Sequence, residues 1–329
     1  MKVLFYGVRP VEMEYFHKIN KKFNYDLILE EELLKDDNIE LAKDCDAVIL
    51  RANCKADKAY IDLIKTYGVR YLFTRTVAYN HINVEYAKAN GLSVARVPSY
   101  SPNAIAELAV SLALQLSRTA PMIPNMTKKD FRVQNNYFAK EMRNSTVGII
   151  GTGKIGLTAA KLFKGLGARV LGFDLYPHDE AHEILEYVSL EELQAQTDII
   201  SLHVPYFAGS NDEMVNAAFL SKMKVGSILI NTSRGEIQNH TDILEAVKSN
   251  KLRGYATDVF TGESAYFFKN FEGKALPDPV VEELVNLYPQ VLITPHIGSF
   301  TDEALVNMIE TSMENLREHE TKGFSINTL

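Results

Sequence analysis

The sequence predicts an α/β protein built from two doubly wound parallel-sheet domains. Short apolar runs alternate with longer amphipathic stretches through residues 1–97, and the alternation resumes at residue 146. The second series opens on a glycine turn, TVGIIGTGKIG, at residues 146–156. Strands that alternate with helices pair in parallel and are covered on both faces. A chain of 329 residues also exceeds one ordinary core, so two domains are expected.

In the first series the strands are read at VLFY (3–6), DLIL (26–29), AVIL (47–50), RYLF (70–73) and SVARV (93–97). Helical stretches such as EYFHKINKKF and DKAYIDLIKTYG lie between them; in the second, Ala59, Ile61, Leu63 and Ile64 share a face and Gly68 supplies the stop. SPNAIAELAVSLALQLSR then reads as a long helix with Ser101 as N-cap and Pro102 at its first position. It is apolar around most of its circumference, so burial between domains or in a subunit contact is expected.

The second series gives VGII (147–150), RVLGF (169–173), a short YVSL, DIISLHV (198–204), SILIN (227–231), GYATDV (254–259) and VLIT (291–294). Six or seven strands suffice for a full nucleotide-binding sheet. The final amphipathic helix, DEALVNMIETSMENLREHE, is capped by Thr301 with two acids in its first turn, and could return to the first domain. The expected division is residues 1–100 plus 300–329 against 101–299.

Composition narrows the function classes. A formal charge of −7 argues against nucleic acid, whose phosphates are bound by a positive excess. Cys45 and Cys54 are the only cysteines, too few for a disulfide framework and not in metal-ligand spacing, so reduced thiols and no metal site are expected. MKVLFYGVRP has no apolar run long enough for a signal peptide, and no stretch approaches the roughly 20 apolar residues that span a bilayer. A soluble, cytoplasmic protein without a membrane partner is the expectation.

The glycine turn holds either a triphosphate or a dinucleotide. A triphosphate turn needs G-x-x-x-x-G-K followed by a hydroxyl residue that holds magnesium, but Lys154 is followed by Ile155. For a dinucleotide the parts are present. Gly151 turns the chain out of the strand, Gly153 lets backbone approach the pyrophosphate, and Gly156 lets the helix pack on the sheet. The helix N-terminus then offers free N–H groups to the phosphates. Asp174, eighteen residues after Gly156, ends the next strand, where a carboxylate accepts from both ribose hydroxyls and repels a 2′-phosphate. No Arg or Lys follows it in DLYPHDE, so NAD is expected over NADP.

Ligands of open parallel sheets bind beyond the carboxyl ends of the strands. There SILIN is followed by Arg234, GYATDV by Glu263, and VLIT by His296. Each has a bland alternative: a surface cation, a solvated loop acid, a satisfied histidine. Together they fit reversible hydride transfer between a 2-oxo acid and its 2-hydroxy acid. Arg234 would fork the substrate carboxylate and polarise the carbonyl. His296 as imidazolium would protonate the carbonyl oxygen, and Glu263 would hold the ring and favour its charged form. His203, in SLHVP, is the rival acid.

The motifs VPSYSPNAIAELAV, TVGIIGTGKIG, INTSRGE, DVFTGE and ITPHIGSFTDEA, spread along essentially the whole chain, resemble the D-isomer-specific 2-hydroxyacid dehydrogenases. The resemblance implies a Rossmann-type NAD-binding domain, a flavodoxin-like substrate domain, an active site in the cleft, and homodimers. It implies Arg234, Glu263 and His296 as the catalytic set. Lys154, Ile155, Asp174, Pro205, Thr232 and Asp258 are implied as cofactor contacts, and Tyr100 as a residue facing the cleft. SAYFFKNFEG, after Glu263, looks like the D-lactate dehydrogenase subgroup, which includes D-lactate, D-2-hydroxyisocaproate and (R)-2-hydroxyglutarate enzymes.

Two departures stand out. In the loop Arg75, Thr76, Val77, Ala78, Tyr79, Asn80, alanine replaces a glycine whose amide, with its neighbour's, is expected to bind the substrate carboxylate. A left-handed backbone there would cost Ala78 about 1 kcal/mol. Ser299 stands where D-lactate enzymes often carry a bulky aromatic, which should open the pocket to longer substrates. Arg51 follows AVIL and Arg9 follows the first strand; either is a solvated surface arginine or part of a clamp for a second, distal carboxylate. YGVR and ILRANC look like the (R)-2-hydroxyglutarate dehydrogenases, which makes 2-oxoglutarate the expected small-molecule substrate. D-lactate dehydrogenase or D-2-hydroxyisocaproate dehydrogenase is the alternative. From other classes, an NAD(H) sensor or corepressor would not need the three rim charges together, and a methyltransferase gives the arginine and imidazole no role.

Overall fold

The computed structural model describes residues 1–121, 123, 131–132, 137–267 and 269–329. Its chain divides into two units, Met1–Ser101 with Phe300–Leu329, and Pro102–Ser299.

The first unit carries a five-stranded, wholly parallel sheet of β1 (Lys2–Tyr6), β2 (Asp26–Glu30), β3 (Ala47–Leu50), β4 (Tyr71–Thr74) and β5 (Ser93–Ala95), in the order β2-β1-β3-β4-β5. This 2-1-3-4-5 order is that of flavodoxin-like sheets. β1 and β3 are apolar almost throughout because both faces are covered, one by Ile61, Ile64, Val69 and Leu92, the other by Phe16, Ile309, Met313 and Leu316. The helix Lys58–Thr66 is capped by Asp57, whose carboxylate accepts from the Ala59 and Tyr60 amides. It buries a narrower stripe than expected: Ile61 and Ile64 are inside, Ala59 is exposed, and Leu63 is 40% exposed. Gly68 follows with φ +87°. The helix Asp302–Lys322 begins at Thr301, whose Oγ1 accepts from the Ala304 amide, and packs in this unit.

The second unit carries seven parallel strands: β6 (Thr146–Ile150), β7 (Arg169–Phe173), β8 (Glu186–Tyr187), β9 (Ile199–Leu202), β10 (Ser227–Asn231), β11 (Leu252–Thr257) and β12 (Val291–Ile293). Their order, β12-β11-β10-β9-β6-β7-β8, reverses direction between β6 and β9, the switch point at which such sheets bind dinucleotides. Several predicted ends shift. YVSL is a strand only through Tyr187, because Ser189 caps the helix Leu190–Gln196 in a capping box with Glu192. β11 stops at Thr257, so Asp258 and Val259 belong to the loop that follows, and β5 stops at Ala95.

The long helix Pro102–Ser117 meets its burial inside the second unit. Ala106, Ala109 and Ala113 are fully buried and bring it close to the helix Lys154–Gly165 and to β10 and β11. Truncating a core residue such as Ile149 or Leu229 would cost about 2–5 kcal/mol. Cys45 and Cys54 are buried free thiols. Among the described residues no helix is long and apolar enough to cross a membrane, and none form a cluster that could hold a metal ion.

Candidate active site

The glycine turn leaves β6 at the switch point. Gly151 has φ +89°, and a Cβ there would lie 2.7 Å from the His203 carbonyl. A Cβ on Gly156 would fall 1.9 Å from the Gly151 oxygen, so the helix Lys154–Gly165 packs where only glycine fits. Gly153 differs: nothing lies within 4 Å of its Cβ position. Packing does not demand glycine there, and the open side is what an approaching pyrophosphate needs. Gly153 is the N-cap and gives no side-chain cap, so the first-turn amides of Lys154, Ile155 and Gly156 remain available to an anion. Asp174 Oδ2 accepts from the Thr152 amide (2.6 Å) and Oγ1 (3.1 Å), while Oδ1 accepts from the Tyr176 amide (2.9 Å). Thr152 Oγ1 lies 2.8 Å from the Tyr187 hydroxyl, which fixes that arrangement further. Thr232 Oγ1 and His203 Nδ1 are buried without partners among the described residues, and the Pro205 carbonyl accepts from Asn211 Nδ2 (2.7 Å). Free first-turn amides, an acid at the end of β7 and orphaned polar atoms suit a dinucleotide.

Arg234, Glu263 and His296 all lie beyond carboxyl ends of this sheet. Asn231 shapes the arginine loop: its Oδ1 accepts from the Ser233 amide (2.9 Å) and Oγ (2.8 Å), and its Nδ2 donates to the Arg234 carbonyl (2.9 Å). Arg234 Nη1 donates to the Ser233 carbonyl at 2.6 Å, leaving the other guanidinium nitrogens for a ligand. A Cβ on Gly235 would fall 2.1 Å from the Phe260 carbonyl carbon, so the loops after β10 and β11 touch through this glycine. Gly262, at φ +70°, then turns the chain into Glu263.

Glu263 Oε1 meets His296 Nδ1 at 2.7 Å. Burial lowers the imidazole pKa, but the hydrogen bond and charge of Glu263, with Asp258 adding to them, outweigh it and Arg234's repulsion; the net shift is upward. His296 has φ +54°, a conformation non-glycine residues rarely adopt. Asp258 holds it there: its buried carboxylate accepts from Thr294 Oγ1 (2.6 Å) and the Ile297 and Gly298 amides (both 2.8 Å), and its carbonyl accepts from the His296 amide (3.0 Å). His203, the rival, bonds Ser201 Oγ at 2.9 Å, and burial drives its pKa down to about 4, so it is neutral near pH 7.

In the first unit, Arg9, Glu12 and Arg75 form one charged cluster. Arg75 Nη2 pairs with Glu12 Oε2 at 2.9 Å, both side chains being only 2% exposed, and also donates to the Gly7 carbonyl at 2.7 Å. Arg9 gives its amide to the same carboxylate oxygen (2.9 Å) and holds Nη1 3.9 Å from Oε1. Its guanidinium lies 3.7 Å over the Phe300 ring, with Nη2 buried and, among the described residues, unpartnered. The Arg51 stem runs past Gly7, whose Cβ position lies 3.3 Å from Arg51 Cβ. Ala78 does not take the left-handed backbone considered for it: its φ is not positive, so the alanine carries no such penalty. The amides of Val77 and Ala78 donate to no acceptor among the described residues. Tyr100 offers its carbonyl to Asn307 Nδ2 at 2.5 Å, and Ser299 is the last residue of the second unit. In SAYFFKNFEG, Phe268 lies outside the described residues.

Sequence reasoning passed over Glu12, Thr152, Tyr187 and Asn231. Thr152 had a signal, its place between the first two glycines of the turn, which sets it beside Asp174. Asn231 had one as well, an asparagine two and three residues before its partners Ser233 and Arg234, whereas the Glu12–Arg75 pair had none, because the fold alone brings it together.

A switch-point glycine turn, an acid at the end of the next strand and a rim arginine beside a carboxylate-bound imidazole fit a nicotinamide-dependent dehydrogenase. The chain belongs to the D-isomer-specific 2-hydroxyacid dehydrogenase family and uses NAD: residues 110–298 match the D-isomer specific 2-hydroxyacid dehydrogenase, NAD binding domain. It is 38% identical over 331 residues to a D-2-hydroxyacid dehydrogenase (NAD(+)) of Clostridioides difficile, covering 99% of each chain. It is 36% identical over 324 residues to an aromatic 2-oxoacid reductase of Clostridium sporogenes, covering 98% of this chain and 97% of the relative. A D-lactate dehydrogenase from Treponema pallidum superposes with a TM-score of 0.92 at 35% identity, over 100% of this chain and 99% of that one.

Proposed function

We propose that the protein reversibly reduces 2-oxoglutarate to (R)-2-hydroxyglutarate, with Arg234, Glu263 and His296 as its catalytic residues. Bound NADH supplies the hydride. With Nδ1 engaged by Glu263, His296 presents Nε2 and gives the proton from it to the substrate carbonyl oxygen. Glu263 keeps the ring charged and oriented, and Arg234 forks the carboxylate and stabilises the developing alkoxide. Gly151, Gly153, Lys154, Ile155, Gly156, Asp174, Pro205, Thr232 and Asp258 serve the cofactor. The Val77 and Ala78 amides, Tyr100 and Ser299 serve the substrate.

One observation carries the choice of acid: two guanidiniums share the carboxylate of Glu12, and Arg9 keeps a buried nitrogen without a partner among the described residues. A net positive cluster with Arg51 beside it fits a distal carboxylate and penalises neutral side chains. Steady-state NADH oxidation with a panel of 2-oxo acids tests this. A kcat/KM for 2-oxoglutarate about tenfold or more above those for pyruvate and 2-oxoisocaproate is expected, and parity would remove the proposal.

A second reading, an aromatic 2-oxo acid, is favoured by the Clostridium sporogenes relative and by Ser299 in place of a bulky ring. Phenylpyruvate belongs in the panel for that reason, as pyruvate does for D-lactate. A homodimer is part of the proposal, supported by an apolar groove at Val110, Leu114 and Leu162, and so is a cytoplasmic location.

A further inference from the structure

We propose that Arg96 is a positioning residue for substrate, acting through the peptide that joins Val77 to Ala78. The inference rests on the reading that the Ala78 amide binds the substrate carboxylate. Arg96 Nη1 donates to the Val77 carbonyl at 3.1 Å. That carbonyl and the Ala78 N–H belong to one peptide unit. A cation bonded at its oxygen draws electron density from the nitrogen and makes the N–H a stronger donor to an anion.

The charge is free to act this way. Among the described residues no carboxylate pairs with Arg96, and its guanidinium lies 5.2 Å from the Tyr79 ring centroid. Neighbouring groups fix the loop instead of competing for its amides. Thr76 Oγ1 donates to the Ala78 carbonyl (2.8 Å) and lies 2.8 Å from Thr74 Oγ1, which His81 Nε2 meets at 3.1 Å.

The end of the chain sets where Arg96 stands. Its amide donates to the Asn327 carbonyl (3.2 Å), and its own carbonyl accepts from Asn315 Nδ2 (2.9 Å). Asn315 Oδ1 in turn accepts from Ser325 Oγ (2.9 Å) and Asn327 Nδ2 (2.8 Å). The backbone of Arg96 is thus held on both sides while its side chain reaches the loop.

Arg96→Gln and Arg96→Lys, compared in the full-length enzyme with NADH and 2-oxoglutarate, or whichever acid the panel favours, test the proposal. Loss of the cation should raise KM for the acid on the order of tenfold with kcat little changed and NADH affinity intact, and lysine should restore part of the loss. Unchanged KM in the glutamine variant, or parallel losses in kcat and NADH binding in both variants, would overturn it. Should Arg96→Gln not fold, Arg96→Met takes its place as the variant without the cation: wild-type KM there, or a loss shared with kcat, rejects the role. A wild-type chain that reduces no 2-oxo acid rejects the underlying reading as well, whereas normal turnover with an indifferent Arg96 rejects this inference only.

Discussion

His296 Nδ1 and Glu263 Oε1 lie 2.7 Å apart, and the carboxylate holds the imidazole pKa above its ordinary value against the pull of burial. In the proposed mechanism reduction needs the protonated ring, so its rate is full at low pH and falls as pH rises through that raised pKa. In Glu263→Gln the charge is gone while burial remains. The alkaline limb of kcat/KM for reduction should therefore move to lower pH, and the limb for oxidation should follow it. A pH–rate profile checks this; an unmoved limb would remove Glu263 from its role.

Two glycines separate ligand demands from packing demands. Gly153→Ala meets no atom, so melting temperature should stay within a degree or two while KM for NADH rises about tenfold as the methyl group crowds the pyrophosphate. Gly235→Ala drives a Cβ into the Phe260 backbone and should cost about 1–3 kcal/mol or more, lowering the melting temperature by several degrees. Thermal denaturation of both variants, with NADH titrations, distinguishes the two uses of glycine.

In the proposed cofactor site, Asp174→Ala removes the acceptor for the ribose hydroxyls and the charge that repels a 2′-phosphate. Affinity for NADH should fall roughly tenfold to a hundredfold, and the NADPH to NADH activity ratio should rise. Fluorescence titration with both cofactors would show it; equal losses for both would contradict the assignment.

Arg51→Leu should lower kcat/KM for 2-oxoglutarate about a hundredfold and raise it for 2-oxoisocaproate, because an unpaired carboxylate buried beside leucine is penalised. The substrate panel repeated on the variant reads this directly.

Periodicity and glycine placement made the sheets legible, because burial on both faces of a parallel strand leaves an apolar run and a switch-point turn leaves spaced glycines. Element ends were less so. Ser189 could extend a strand or cap a helix, and only its bond to Glu192 decides. The rim residues Arg234, Glu263 and His296 were readable because each follows a strand. The Glu12–Arg75 pair and the Arg96–Val77 bond were not, since each joins segments that the fold alone brings together. Nor does local sequence give the sign of φ at Ala78, on which the doubt about its loop turned.

The central claim is that one imidazole, held by Glu263, delivers the proton. Single-turnover reduction by His296→Gln and His203→Gln, each saturated with NADH, tests it most directly. Loss of about a hundredfold or more is expected for His296→Gln with NADH affinity retained, against a rate within a few-fold of wild type for His203→Gln. Near-normal turnover by His296→Gln would contradict the account.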